Sequence, residues 1–235
     1  DRWRNDNLTN RYQGVQFGYT SAGRYTSWND IWSYPGYKER DILPGDYKYE
    51  DWNGDGEING QDEHPFAFDQ TPWLQFSLNA GLQWKNFDFN MLLQGSALGS
   101  MEYKEPLHEI WGKNGGGALT QFLDRWHPVG PRAEPYDPSP LWTSCHYAYT
   151  GRWGKNNSAF NRVSTAYLRL KSIELGYTFP KLKQIPNASL RIYANAYNLL
   201  TFTGVKFVDP EHPDDDLGRM YPLNKTYTLG VSLSF

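Results

Sequence analysis

The stretch that decides the fold is PWLQFSLNAGLQWKNFDFNMLLQGSA, residues 72–97. Its even positions from Leu74 to Trp84 are apolar, while the residues between them are glutamine, serine, asparagine or glycine. After a polar break at residues 85–86 the apolar residues move to odd positions, starting at Phe87. A period of two places the apolar side chains on one face of a β-strand. Two such runs across a short break predict a β-hairpin.

The same alternation returns in the last third of the chain. Residues 166–180 and 188–202 form a second pair of alternating runs, and residues 226–235 form a fifth run. The connections between the five predicted strands are in turn short, long, short and long. Short turns on one side and long loops on the other are typical of outer-membrane β-barrels.

The length of the predicted strands agrees with a membrane span. Residues 73–84 are 12 residues, which at about 3.3 Å each extend over roughly 40 Å. Tilted by about 45°, such a strand crosses about 28 Å, close to the hydrocarbon thickness of a bilayer. A soluble β-sandwich uses shorter strands of about 5–6 residues.

Composition excludes several other classes. The 235 residues carry a net charge of −3 without a basic stripe, which argues against a nucleic-acid partner. Mean hydropathy is −0.73, and no run approaches the roughly 18 apolar residues of a membrane-spanning helix. Aromatic residues make up 17% of the chain, an excess that suits a carbohydrate-binding protein or the interfacial girdles of a barrel.

We therefore predict an all-β fold that comprises the last five or so antiparallel strands of a large transmembrane β-barrel. Residues 1–70 are predicted to be an extracellular loop region, and residues 71–235 to be the barrel strands with long loops at 95–165 and 203–224. Five strands cannot close a barrel, since bacterial single-chain barrels begin at eight. Further strands are expected to pair with these, so the chain is interpreted as the carboxy-terminal portion of a larger barrel.

The sequence DWNGDGEINGQDE, residues 51–63, has the spacing of an EF-hand-type calcium loop. A glycine stands at position 6 of this loop, where the chain must turn sharply, and oxygen donors stand at alternate positions around it. We predict Ca²⁺, with Mg²⁺ as the alternative, in a structural role. Aspartate at position 12 is shorter than the usual glutamate, and the other interpretation is an acidic surface turn. The predicted ligands are Asp51, Asn53, Asp55, Glu57 and Asp62.

Five motifs resemble one family when they are taken in order. They are LPGDYKYEDWNGDGEINGQDE (43–63), LLQGSALG (92–99), AYLRLKSIELGYTFP (166–180), LRIYANAYNLLTFT (190–203) and YPLNKTYTLGVSLSF (221–235). This order is similar to the carboxy-terminal part of SusC-like TonB-dependent transporters of Bacteroidetes. The resemblance covers residues 43–235.

The resemblance implies a protein of the bacterial outer membrane, in contact with its lipid. It implies a large barrel with an amino-terminal plug, energy from the TonB complex through that amino-terminal part, and a SusD-like surface lipoprotein as partner. The implied cargo is a nutrient, mostly an oligosaccharide and less often a peptide. The implied role is transport rather than catalysis.

Aromatic residues of the long loop are candidates for contact with such a cargo, because their rings could stack on sugar faces. The alternative is that they pack the loop against itself or against the lipoprotein. The candidates are Trp111, Trp126, Trp142, Tyr147 and Trp153.

Two competing functions remain on sequence grounds. One is a soluble, calcium-stabilised carbohydrate-binding β-domain, and the other is a secreted glycosidase, since two carboxylates could meet in space. No GxSxG or HExxH motif is present, and no carboxylate pair is marked for catalysis. The prediction is therefore a transporter segment that is not an enzyme.

Overall fold

The computed structural model describes residues 11–35, 41–104, 107–108, 110, 118–130, 133–149, 157–180, 188–211 and 220–235. The chain divides into two compact units. Unit 1 consists of residues 1–70, 100–163 and 213–219, and unit 2 of residues 71–99, 164–212 and 220–235. In the part of the chain that is described, no helix has the length and apolar character needed to cross a membrane.

The described residues form thirteen strands and one α-helix. In chain order they are β1 (Gln16–Gly18), β2 (Ser21–Arg24), α1 (Trp28–Ser33), β3 (Tyr47–Tyr49), β4 (His64–Ala67), β5 (Leu74–Trp84), β6 (Phe87–Ala97), β7 (Ser100–Glu102), β8 (His127–Pro128), β9 (Trp142–Thr143), β10 (Arg162–Ser164), β11 (Tyr167–Phe179), β12 (Ser189–Thr203) and β13 (Thr226–Ser234).

Unit 2 contains one antiparallel sheet with the strand order β13-β12-β11-β6-β5. All five predicted strands are present, and the two predicted hairpins are the pairs β5–β6 and β11–β12. The short connections lie at one end of the sheet. The long connections, after β6 and after β12, lie at the other, which we call the long-loop end.

The register of the sheet brings the apolar positions of all five strands onto one face. Met91 of β6 is paired with Ala80 on one side and Ile173 on the other, and Ile173 is paired in turn with Ala196, which faces Tyr227 of β13. This apolar face is largely exposed to solvent in the isolated chain. The opposite, polar face carries mainly Gln, Ser, Asn, Thr and charged residues.

A β-bulge keeps the apolar face continuous. Leu168 and Leu170 of β11 stand at even positions, whereas Ile173 and Leu175 stand at odd positions, and the register shifts between Leu170 and Ser172. A one-residue shift would otherwise turn every later side chain to the opposite face. The bulge adds one residue to β11. The leucines before and after it therefore lie on the same face, although their positions change from even to odd.

Both edges of the sheet are long strands. Within the described sheet, β5 pairs only with β6, and β13 pairs only with β12. A strand in lipid needs partners for its backbone groups on both sides. The sheet is therefore the open segment of a larger barrel, as predicted.

Unit 1 is built from short paired strands. Its strand pairs are β1 with β4, β2 with β3, β7 with β10 and β8 with β9. A cluster of buried side chains in the described part of unit 1 is mainly aromatic and contains Tyr19, Tyr47, Tyr49 and Ile58, with Phe160 packed against it. Aromatic rings bury a large area per residue, which allows strands of two to four residues to hold together.

Gly45 lies against the Trp126 ring in unit 1. Its φ of 89° is in the left-handed region, and a Cβ at this position would lie 2.3 Å from the Trp126 Cγ. Both the backbone conformation and the close ring require glycine. Gly23, with a φ of 102°, has no atom within 4 Å of such a Cβ.

We expect Gly45→Ala to destabilise unit 1 by about 3 kcal/mol, the sum of the left-handed strain and overpacking against Trp126. Gly23→Ala should cost only about 1 kcal/mol, because it carries the strain without the clash. Hydrogen exchange of the amides of β3 in the full-length protein measures the difference. Equal protection in the two variants would contradict the packing role of Gly45.

Candidate functional site

The predicted calcium loop begins with a carboxylate that organises the backbone. The Asp51 side chain accepts hydrogen bonds from the backbone N–H groups of Gly54 at 2.7 Å, Asp55 at 3.2 Å and Gly56 at 2.8 Å. Gly56, at position 6, has a φ of 83°, the left-handed conformation that the sharp turn requires.

The side chains at positions 3 and 5 point toward each other. The Asn53 Nδ2 donates to Asp55 Oδ2 at 2.9 Å, and the Asn53 Oδ1 accepts from the Asp55 backbone N–H at 2.9 Å. The Asp55 Oδ1 accepts from the Glu57 backbone N–H at 2.9 Å. The amide and carboxylate oxygens of the first half of the loop are therefore held close to its backbone.

Asp62, at position 12, is a buried carboxylate that joins the two halves of the loop. It is fully buried, and its carboxylate accepts from the backbone N–H groups of Asn59 at 2.8 Å and Asn53 at 3.3 Å. It also completes a capping box with Asn59 around the 3₁₀ turn Gly60–Asp62. Position 8, Ile58, is buried in the aromatic cluster, so the loop is anchored at two points.

Glu63, the residue after the loop, is held by a hydrogen bond to Tyr19. Burial raises the pKa of the Tyr19 hydroxyl well above its ordinary value, and a hydrogen bond to Glu63 raises it further. Tyr19 therefore stays protonated and acts as a donor to this carboxylate. Glu63, the residue after position 12, is therefore engaged by this bond.

The loop has the donor types of a hard-cation site but not a converged carboxylate cluster. Among the residues that the structure describes, no three His, Cys, Asp or Glu side chains lie together as a metal site. The reason is visible in the hydrogen bonds, since Asp51, Asp55 and Asp62 each turn toward backbone N–H groups. The five predicted ligands stay a prediction, and carboxylate, amide and carbonyl oxygens are what Ca²⁺ takes.

The predicted aromatic contacts lie in different surroundings. Trp126 is buried, with 6% of its surface exposed, and Trp142 is half-buried with its ring edge-on to Tyr149 at 5.6 Å. Tyr147 is half-buried and packs edge-on to Phe122 at 4.9 Å. Packing of this kind is the alternative that the sequence left open. Their role in ligand binding stays a prediction, and Trp111 and Trp153 lie outside the described residues.

Two arginines on the polar face of unit 2 form ion clusters that the sequence analysis did not single out. Arg191 of β12 is bonded to Asp88 of β6 and, at 2.7 Å, to Glu174 of β11. It reaches Asp88 across Gly176, where a Cβ would lie 2.5 Å from both side chains. This cluster lies toward the short-turn end of the sheet.

The second cluster lies at the long-loop end. Arg169 of β11 donates to Asp209 at 2.6 Å, to Glu211 at 2.7 Å and to the Thr201 hydroxyl at 3.1 Å. The Tyr167 hydroxyl donates to the other Glu211 oxygen at 2.8 Å. An arginine between two branched apolar residues of an alternating strand, as in LRL (168–170) and LRI (190–192), is the sequence signal that could have identified both sites.

Comparison with known proteins finds similar receptors. No model of a known protein family matches the chain. It is 28% identical to the TonB-dependent receptor P3 of Formosa agariphila, over 83% of the chain and 19% of that receptor. It is 26% identical to the TonB-dependent receptor P26 of the same organism, over 95% of the chain and 22% of that receptor. It is 25% identical to the TonB-dependent receptor SusC of Bacteroides thetaiotaomicron, over 88% of the chain and 19% of that receptor.

Solved structures show the same fold. A structure of the RagAB peptide transporter matches with a TM-score of 0.61 and 18% identity, over 94% of this chain and 22% of that one. The RagAB peptide importer in its open-open state matches with a TM-score of 0.55 and 19% identity, over the same shares. The chain thus shares its fold with part of these solved structures.

The predicted resemblance is therefore confirmed: the chain is similar to TonB-dependent receptors, SusC among them. Its location is the bacterial outer membrane. The chain spans about a fifth of the length of the curated relatives it matches. These relatives are receptors and importers and not enzymes, which supports a role other than catalysis.

Proposed function

We propose that this chain forms part of the barrel wall of a TonB-dependent importer that takes up nutrients across the outer membrane. The observation that carries the proposal is the sheet of unit 2, in which one face is continuous, apolar and exposed and the other is polar. Lipid can solvate the apolar face, and the polar face can line a passage. The long connections at one end supply an extracellular surface where a ligand could be captured.

The importer is further proposed to work with a plug that fills the barrel, the TonB complex and a SusD-like surface lipoprotein. Likeness to SusC and RagAB supports this arrangement. We propose an oligosaccharide as the cargo, which the aromatic content of the chain favours. A peptide is the second candidate, because RagAB is named a peptide importer.

We also propose that the loop of residues 51–62 binds Ca²⁺, with Mg²⁺ as the alternative ion. Asp51, Asn53, Asp55 and Asp62 would supply side-chain oxygens, and Glu57 its backbone carbonyl. The ion would supply positive charge that holds the loop closed. The left-handed Gly56 and the burial of Ile58 support this assignment, because both prepare the turn before an ion arrives.

Adjacent residues of β13 test the transmembrane orientation. Leu229 is exposed on the apolar face, and Thr228 faces the polar side. Leu229→Arg should destabilise the inserted barrel by about 2–4 kcal/mol, because a charge near the middle of the bilayer is costly on the lipid face. Thr228→Arg should destabilise the inserted barrel much less, because its charge lies on the polar face. The measurement is the amount of folded full-length protein recovered from outer membranes.

Equal yields from the two variants would reject the orientation. A soluble carbohydrate-binding domain predicts a different result. In that case the isolated 235-residue chain would be monodisperse without detergent, and Leu229→Arg would leave its solubility unchanged or improve it.

Terbium luminescence tests the cation loop, because Tb³⁺ substitutes for Ca²⁺ and a nearby indole sensitises its emission. Trp52, at position 2 of the loop, is half exposed and stacks on His64 with ring centroids 3.7 Å apart. We expect Trp52-sensitised emission that Ca²⁺ suppresses by competition in the full-length protein. Asp51→Asn should weaken Tb³⁺ binding by about 10-fold or more, because it removes a charged ligand.

Glu57→Gln is the matched control. It removes the same charge from the same loop, but position 7 contributes its backbone carbonyl rather than its side chain. Binding by Glu57→Gln should therefore stay within about 2-fold of the parent. If both variants weaken binding equally, the loop is a diffuse acidic surface and not a coordination site.

A further inference from the structure

The connection after β12 returns over the polar face of the sheet. We call residues 204–211 the strap. Its first turn is fixed by two hydrogen bonds of Thr203, whose hydroxyl donates to the Ala166 carbonyl at 2.9 Å and accepts from the Val205 backbone N–H at 3.1 Å. Val205 is buried, with 7% of its surface exposed. The strap therefore begins with a turn that is bonded to the residue before β11, and its first side chain is buried.

The far end of the strap is held by Arg169. In the register of the sheet this residue lies between Gln94 of β6 and Thr201 of β12, which places it on the polar face. Its guanidinium binds one carboxylate with each terminal nitrogen, Asp209 at 2.6 Å and Glu211 at 2.7 Å. The Glu211 backbone N–H in turn donates to Asp209 at 3.1 Å, so both carboxylates are oriented toward the arginine.

The two sides of this ion cluster differ in their access to water. The Arg169 side chain is 1% exposed, whereas the side chains of Asp209 and Glu211 are 30% and 48% exposed. Separation would leave the strap carboxylates hydrated and the arginine buried without a charged partner. A buried charge that loses its partner raises the free energy of the protein. The buried arginine therefore holds the strap against the polar face of the sheet.

The middle of the strap is strained. Phe207 has a φ of 70°, and a bulky side chain in the left-handed region is an outlier that costs free energy. Such a conformation persists only where the surroundings enforce it. Phe207 lies between two fixed points of the strap, the Thr203 turn and the Arg169 cluster.

From these contacts we propose that the strap is a releasable closure over the polar face at the long-loop end, and that Arg169 is its latch. Release of the latch relaxes Phe207 and uncovers the polar face beneath the strap. That this face lines a transport route rests on the proposed function. The latch itself does not, because it is defined by contacts within unit 2.

Cysteine accessibility in the full-length protein tests the latch. Val205→Cys, in a background with Cys145→Ser, is exposed to a membrane-impermeant maleimide on whole cells. We expect slow labelling in the latched protein and labelling at least about 10-fold faster after Arg169→Gln, because the buried reporter becomes accessible when the strap opens. The double variant Asp209→Asn/Glu211→Gln breaks the latch from the strap side and should accelerate labelling similarly.

Arg191→Gln is the matched control, since it removes an arginine with two carboxylate partners from the same face but from the opposite end of the sheet. Its labelling rate should stay within about 2-fold of the parent. Heat-dependent migration on gels verifies that each variant has a folded barrel. If the two latch variants label no faster than Arg191→Gln, the strap is not held by Arg169 and the proposal is wrong. Nutrient uptake is measured separately, so loss of the transport role would leave the labelling result intact.

Discussion

A strand that crosses a bilayer is limited by two requirements at once. Its backbone groups must be paired with neighbouring strands, and the side chains on its outer face must be apolar. Every strong feature of unit 2 follows from these requirements. The strands of its hairpins are 11 to 15 residues long, the apolar positions of five strands share one face, and the bulge in β11 preserves that face where the sequence changes parity.

The polar face has a different requirement. Charged side chains on it are not surrounded by bulk water and need partners of opposite charge. Each of the two arginines is matched by two carboxylates, one pair on strands and one pair on a loop. The cluster around Arg191 ties three strands together near the short turns. The cluster around Arg169 ties the sheet to a loop. The same chemistry therefore strengthens the wall at one end and controls a covering segment at the other.

Among its described residues unit 1 has no large regular sheet, and it depends on other interactions. Its strand pairs are two to four residues long, and aromatic side chains make up much of its buried cluster. Side-chain carboxylates bonded to backbone N–H groups define its turns, as Asp51 and Asp62 do in the loop of residues 51–62. Such a loop has its turn geometry in place through hydrogen bonds alone. A bound cation would replace part of that network and not create the turn.

The sequence by itself determined the five strands, their pairing into hairpins, the apolar face and the resemblance to SusC, because alternation and loop length are local properties of the chain. Only the tertiary structure decided that Trp126 lies buried against Gly45 and that Arg169 holds Asp209 and Glu211. Those contacts join residues 40 or more positions apart, and no period in the sequence records which distant side chains will meet.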